Sequence, residues 1–191
     1  APDYQHLDEF APPQAEFELT AATLAFLAER NAFVFRDRQS VRIFALRGCS
    51  LADDAEDVPW ASAHRVQLAT PDHLSCKCLL GVWRQGDGQI ALFRSSTVPA
   101  VSNMFKSLRT EGAGASLLPT GLYRYRAGSH KRTSPTAIQR GALVIEGEYV
   151  VLRTPDDLSY NPFQPNDIWT RGAAHNIHSA GVWSRPDVYD S

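Results

Sequence analysis

His178 stands in the run Asn176-Ile177-His178-Ser179-Ala180-Gly181, and histidine is the side chain best suited to moving a proton near neutral pH. A neutral imidazole at the end of a strand takes a proton from a thiol or hydroxyl when another group orients it. Ser179 follows directly, and Gly181 supplies a backbone turn on the side a substrate would approach. The alternative is a structural histidine satisfied within a sheet, and spacing alone does not separate the two. His175 lies three residues earlier, but a shared metal would need a helix there, because odd spacing in a strand sends side chains to opposite faces. The surrounding Gly, Asn and Ala give no helical pattern, so no metal ligand is assigned.

A second candidate cluster is Tyr123-Arg124-Tyr125-Arg126-Ala127-Gly128-Ser129-His130-Lys131-Arg132. On a strand, the alternation separates an aromatic face from a cationic one. The guanidinium forks of Arg124, Arg126 and Arg132 suit bidentate pairing with carboxylates, while a solvated outer face is the competing explanation. Gly128 allows a tight approach just ahead of His130. The three cysteines, Cys49, Cys76 and Cys78, cannot all pair within one chain. They are expected to be buried reduced thiols, with a bridge from Cys49 to one of the other two as the oxidising-compartment alternative.

Several chemistries lose their usual support. Gly-x-Gly-x-x-Gly, the Walker phosphate loop, His-Glu-x-x-His, paired Cys-x-x-Cys and Gly-x-Ser-x-Gly are all missing from the sequence, and no cofactor is implied. A net charge of -2 and a pI near 6.3 lack the basic excess that phosphate binding demands, so nucleic acid is not an expected partner. No apolar run approaches the roughly 20 residues of a membrane-spanning helix.

The elements that must position these residues follow from pattern. The first 18 residues, rich in Pro and acidic groups, read as an extended arm. Thr20 caps a predicted helix running to about Asn31, with Leu24, Phe26 and Leu27 on its apolar side. The stretch from Ala32 to Gly48 suggests two short strands around 37–40, and 50–75 reads as a polar, irregular connection. The runs flanking Gly86-Asp87-Gly88 form a predicted hairpin. Pro99 can open a helix carrying Val101, Met104, Phe105 and Leu108 up to the Gly112/Gly114 break. Two further strand regions, 121–130 and 141–154, are expected, the second turning at Glu146-Gly147, then a loop and the strand containing His178. The fold class is α+β: a β-rich domain, mixed-sheet or sandwich-like, with a few short helices mainly in the N-terminal half. The expected organisation is an arm over 1–18 and one domain over 19–191.

Taken in order, Leu46-Arg47-Gly48-Cys49, Leu79-Leu80-Gly81-Val82-Trp83, Ser96-Thr97-Val98-Pro99, Gly121-Leu122-Tyr123 running into Gly128-Ser129-His130, Ala142 to Arg153, and Asn176 to Gly181 resemble one family. It is the L,D-transpeptidase-like (YkuD-type) cysteine enzymes, in particular the divergent branch of phage and prophage proteins acting on peptidoglycan. The resemblance spans roughly residues 40–191. It implies acyl transfer or hydrolysis at peptidoglycan stem peptides, with His178 as base, Ser179 beside it and His130 orienting substrate or supporting His178. Arg124, Arg126 and Arg132 would meet stem-peptide carboxylates. In that family a nucleophilic cysteine follows the strand histidine in a Ser-x-Gly-Cys setting. Tyr189-Asp190-Ser191 would lead directly into it, so the natural chain is expected to continue past Ser191.

The same resemblance implies action in the cell envelope or periplasm, in phage lysis, wall remodelling or as a toxin; a protein blocking the cleft would suit the last role, and no residue identifies one. A noncatalytic wall-binding module and a metal-dependent hydrolase are the alternatives.

Overall fold

The computed structural model describes residues 14–35, 41–53, 57–70, 73–74, 77–130, 140–153, 168–172 and 175–178. Contacts gather these into two compact units, an N-terminal one up to Val98 and a C-terminal one from Pro99 onward. The architecture is a β-rich α+β fold of several antiparallel sheets. Among the described residues, no helix is long and apolar enough to cross a membrane.

The N-terminal unit holds two sheets. One has the order β1-β5-β3, with β1 Glu16–Thr20, β3 Cys49–Leu51 and β5 Ala63–Leu68; the other runs β2-β6-β7-β4, with β2 Val41–Arg47, β4 Asp57–Ala61, β6 Cys78–Arg84 and β7 Gln89–Ser95. Helix α1, Ala21–Arg30, starts where the sequence predicts: the Thr20 hydroxyl accepts from the Thr23 N–H at 3.2 Å and closes the first turn. Leu24 and Ala28 face the core, whereas Phe26 is exposed with the Arg30 guanidinium over its ring. Residues four apart share a helix face, and that line, rather than the Leu-Phe-Leu cluster, fixes the buried side. The interior is aliphatic: Val66, Leu79, Ile90 and Leu92 are fully buried, with Leu19, Leu51 and Trp83 beside them.

Three expectations are corrected here. First, β1 begins at Glu16, inside the stretch read as an arm, because EFELT alternates and pairs with β5 from Glu16↔Gln67 to Thr20↔Ala63. Second, the segment read as irregular over 50–75 contains β3, β4 and β5. Its alternation is real but short: His64 and Val66 point inward and Arg65 outward. His64 is satisfied by the Ile90 carbonyl at 2.7 Å. Pro59 hides β4, which is tolerated because β4 is an edge strand whose register shifts between Val58 and Ala61. Third, residues 33–35 form no strand, and among the described residues only β2 of the two expected strands is present. The β6–β7 hairpin turns over 85–88 as expected, with Gly88 at φ 70° and the Asp87 carboxylate accepting from the Gln89 N–H.

The C-terminal unit begins with α2, Val101–Glu111, which has Ala100 at its N-cap position without a side-chain cap and ends at Gly112 with φ 70°. Pro99 precedes the helix rather than opening it. Met104 is fully buried and Phe105 exposed. Strands β8 Ser116–Leu117, β9 Tyr125–His130, β10 Arg140–Ile145, β11 Val150–Arg153, β12 Ile168–Arg171 and β13 Asn176–His178 form two sheets, β12-β11-β8 and β13-β10-β9. The turn at Glu146-Gly147 is present, with Gly147 at φ 83°. The strands on either side enter different sheets, so it is not a hairpin. Arg153 ties β11 to the end of α2: its guanidinium donates to the Gly114 carbonyl at 2.8 Å, the buried Ser107 hydroxyl at 2.7 Å and the Glu111 carboxylate at 2.6 Å. A cation at the negative end of a helix is favourable as well as bonded.

Candidate functional site

The sheet β13-β10-β9 assembles three segments far apart in sequence. Strand β10 is central, and its register aligns Gly128, Ala142 and His178 in one row, with His130 across from Arg140. His130 and His178 thus occupy positions of the same parity on the two strands flanking β10, displaced by two residues along it. Standard strand spacing and rise place their Cα atoms about 12 Å apart. Gly128 has a reason to be bare, since a Cβ there would lie 2.7 Å from the Val144 Cγ2. Ser179, Gly181 and Arg132 lie outside the described residues.

The alternation read in the Tyr/Arg stretch is observed. Tyr123 and Tyr125 are half-buried and Arg124 and Arg126 exposed. Arg126 approaches Glu146 at 4.0 Å across the surface, a weak, solvent-screened contact. Ordered β-structure begins at Tyr125, and the ladder continues past it through the Glu146 N–H donating to the Arg124 carbonyl.

Beside this sheet sits a pair that sequence reasoning missed. The Tyr149 hydroxyl accepts from the backbone N–H of His175 at 2.9 Å and also lies 2.9 Å from His175 Nδ1. The hydroxyl and Nδ1 share one hydrogen, and which of them donates follows the ring's tautomer. Burial lowers the His175 pKa, which favours the neutral ring. The rings meet edge to face at 5.5 Å, and Tyr123 packs on the other side of Tyr149 at 6.5 Å. Gly172 makes the arrangement sterically feasible: a Cβ there would fall 2.0 Å from the Tyr149 ring. The His175 carbonyl in turn accepts from the Ile145 N–H, at the end of β10. The start of β13 is therefore anchored three residues before His178. Tyr149 and His175 are 26 positions apart with no shared motif; Tyr149 stands just before β11, two residues after Gly147, and no local pattern pairs it with His175.

The thiols are poor nucleophiles as placed. Cys49 and Cys78 are buried and free, so no bridge joins them; Cys76 lies outside the described residues. Burial, then the neighbouring Cys78, pushes the Cys49 thiol up to about 11. Cys78 Sγ lies 2.9 Å from the Thr97 hydroxyl, which also accepts from Arg47 Nε at 3.1 Å. A reactive thiol needs stabilisation of its thiolate, and burial does the opposite. Among the described residues no three His, Cys, Asp or Glu side chains gather as metal ligands, and His175 Nδ1 is engaged by Tyr149. Comparison with family models, with curated proteins and with solved structures yields no match.

Proposed function

We propose that this chain carries the base-bearing part of a cysteine acyltransferase or peptidase acting on peptidoglycan stem peptides. The observation that supports the proposal is the row Gly128–Ala142–His178, with His130 two residues along the same sheet. Three of the segments that carry the L,D-transpeptidase resemblance, separated by dozens of residues, meet on one surface. Cooperation between His130 and His178 would reach across β10 between positions of the same parity, two residues out of row.

In the proposed reaction His178 takes the proton of a thiol, and the thiolate attacks an amide carbonyl of the stem peptide, forming a C–S bond. Backbone N–H groups near the nucleophile hold the developing oxyanion. The intermediate collapses with loss of the amine, which takes its proton from the imidazolium. The thioester then passes its acyl group to another amine or to water. Cys49 and Cys78 do not suit the nucleophile's role, so that role falls to a cysteine outside the described residues. His130, Arg124 and Arg126 orient the stem peptide; the resemblance assigns Arg132, Ser179 and Gly181 to the same site, and these three lie outside the described residues.

The test is muropeptide turnover by the protein made from its full reading frame. Replacing His178 with Ala should lower turnover by about 10²–10⁴-fold, the usual worth of a general base, with an unchanged circular dichroism spectrum. Full activity in that variant sinks the proposal. The exposed Arg124 and Arg126 beside half-buried tyrosines favour, as a second reading, a module that binds the wall without chemistry. Sacculus binding with no product released, lost in a double Arg124→Ala, Arg126→Ala variant, would support it.

A further inference from the structure

We infer that β2 is the contact edge of a two-fold dimer, in which it pairs antiparallel with the β2 of a second copy and joins the two β2-β6-β7-β4 sheets. The strand stands at one end of its sheet and is paired with β6 over its whole length, from Val41↔Arg84 to Arg47↔Cys78. Among the described residues no strand pairs with its other side. Its accessibility is that of an open edge: Val41 is 53% and Ile43 43% exposed, Ala45 is exposed too, and the residues between them are only half-buried. An open edge is a row of unmade N–H and C=O groups, and such a row is a template for another strand.

The other described edges are guarded against such pairing, and β2 is not. On the far side of the same sheet, β4 carries Pro59 and a register shift between Val58 and Ala61. Strand β1 presents the charges of Glu16 and Glu18, β9 is weakened by Gly128, and β3, β8, β12 and β13 are four residues long or shorter. Proline, bulges, charge and short length are the devices that keep a sheet edge from pairing. Strand β2 runs for seven residues, VRIFALR, with no proline, glycine or acidic group, and its pairing with β6 has no bulge. Its inner charge, Arg42, is taken up within the copy, with the guanidinium 4.9 Å from the Phe35 ring centroid.

The sequence of the strand selects a second copy as its occupant. Antiparallel pairing centred on Phe44 sets Val41 against Arg47 of the second copy, Arg42 against Leu46 and Ile43 against Ala45. Every residue of the strand is used, and no arginine faces an arginine. Sliding by one residue turns inner faces against outer ones, and larger slides leave residues unpaired. On the outer face Ile43 and Ala45 match a large side chain with a small one, in rows that continue into the half-buried Val82 and Leu80. Because β4 is guarded, assembly closes at two copies. One strand a side makes a small interface, so the dimer should form in the micromolar range.

The test is sedimentation equilibrium of the full chain from about 1 μM to 1 mM, where a reversible monomer–dimer equilibrium is expected. Amide hydrogen exchange of the wild type over 41–47 should slow as the concentration rises through that range. Ile43→Lys combined with Ala45→Lys sets lysine against lysine at both crossings and should raise the dissociation constant about tenfold or more, as should Ile43→Glu combined with Ala45→Glu. Mixed in equal amounts, the lysine and glutamate variants should recover a dimer. Both positions are exposed, and circular dichroism checks that each variant is folded. A wild type that stays monomeric or grows past two copies would overturn the proposal, and so would exchange over 41–47 that ignores concentration. Folded lysine variants that dimerise as the wild type does, or folded variants of opposite charge that fail to combine, would overturn it as well.

Discussion

The two units build their interiors from different forces. In the N-terminal unit two sheets and α1 close over Val66, Leu79, Ile90 and Leu92, all fully buried, with His64 as the inward polar group and the Ile90 carbonyl as its partner. In the C-terminal unit the described interior includes Tyr149 bonded twice to His175, and Ser107 bonded to Arg153. Aliphatic burial is non-directional and stabilises in proportion to area. Hydrogen bonds among half-buried groups add less net stability but fix angles and tautomers. The difference teaches where each unit has its precision: the C-terminal unit uses directional contacts beside β13, the strand that carries His178.

Truncating Leu92 to Ala should give the largest effect. Leu92 is fully buried within the aliphatic cluster, so the change should cost about 2–5 kcal/mol in urea unfolding. Removing only a hydroxyl, Tyr149→Phe, should cost about 1–3 kcal/mol by leaving the His175 N–H and Nδ1 without their partner. If Tyr149→Phe proves the more damaging, the contrast between the units is reversed.

The same variant sharpens the comparison through pH. His175 has its pKa lowered by burial from an ordinary value of 6.5. A group depressed in the folded state contributes stability that is present above its unfolded pKa and lost as pH falls through the folded one. The C-terminal unit should therefore lose stability on acidification below about 6.5. Burial is the cause, and Tyr149→Phe leaves it in place, so the variant should keep the depressed His175 pKa. The stability difference between wild type and variant should stay constant as pH falls, and an imidazole titration by NMR reads the pKa directly. A difference that narrows with acid would show that the hydroxyl also bears on the ring's protonation.

Local patterns carried most of what was legible in the sequence. The Thr20 cap, the 85–88 turn and the Gly112 stop each depend on residues within a few positions of one another, and all are found where expected. What failed to show was tertiary. Strand β4 is interrupted by Pro59 and β5 alternates only briefly, and their pairing partners β7, β1 and β3 are what make them strands. The strands around Gly147 looked like a hairpin because adjacency in sequence is the usual guide, yet β10 pairs with β9 and β13, and β11 with β12 and β8. At the candidate site residue type points to His178 and the family resemblance to His130, and only the register relates them. Tyr149–His175 could not be found that way, because its logic is a hydroxyl held between an N–H and an Nδ1 and a glycine that leaves room for the ring.

The two helices extend the contrast to their ends, and here the expected effect is smallest. Helix α2 stops at Gly112 with φ 70°, a conformation glycine adopts without penalty. Helix α1 stops by the same geometry without the glycine: Ala32 has φ 53°, its N–H donates to the Glu29 carbonyl at 3.0 Å, and the Phe33 N–H donates to the Ala28 carbonyl at 2.8 Å. Those two bonds form a Schellman stop, in which the left-handed position normally belongs to glycine. An alanine methyl there crowds the backbone, at a cost of about 1–2 kcal/mol, which glycine relieves while losing part of the gain to its more flexible unfolded chain. Ala32→Gly should thus stabilise the N-terminal unit by about 0.5–1 kcal/mol in urea unfolding, whereas Gly112→Ala should destabilise the C-terminal unit by a similar amount. Destabilisation by Ala32→Gly would mean that the methyl's packing outweighs its backbone strain.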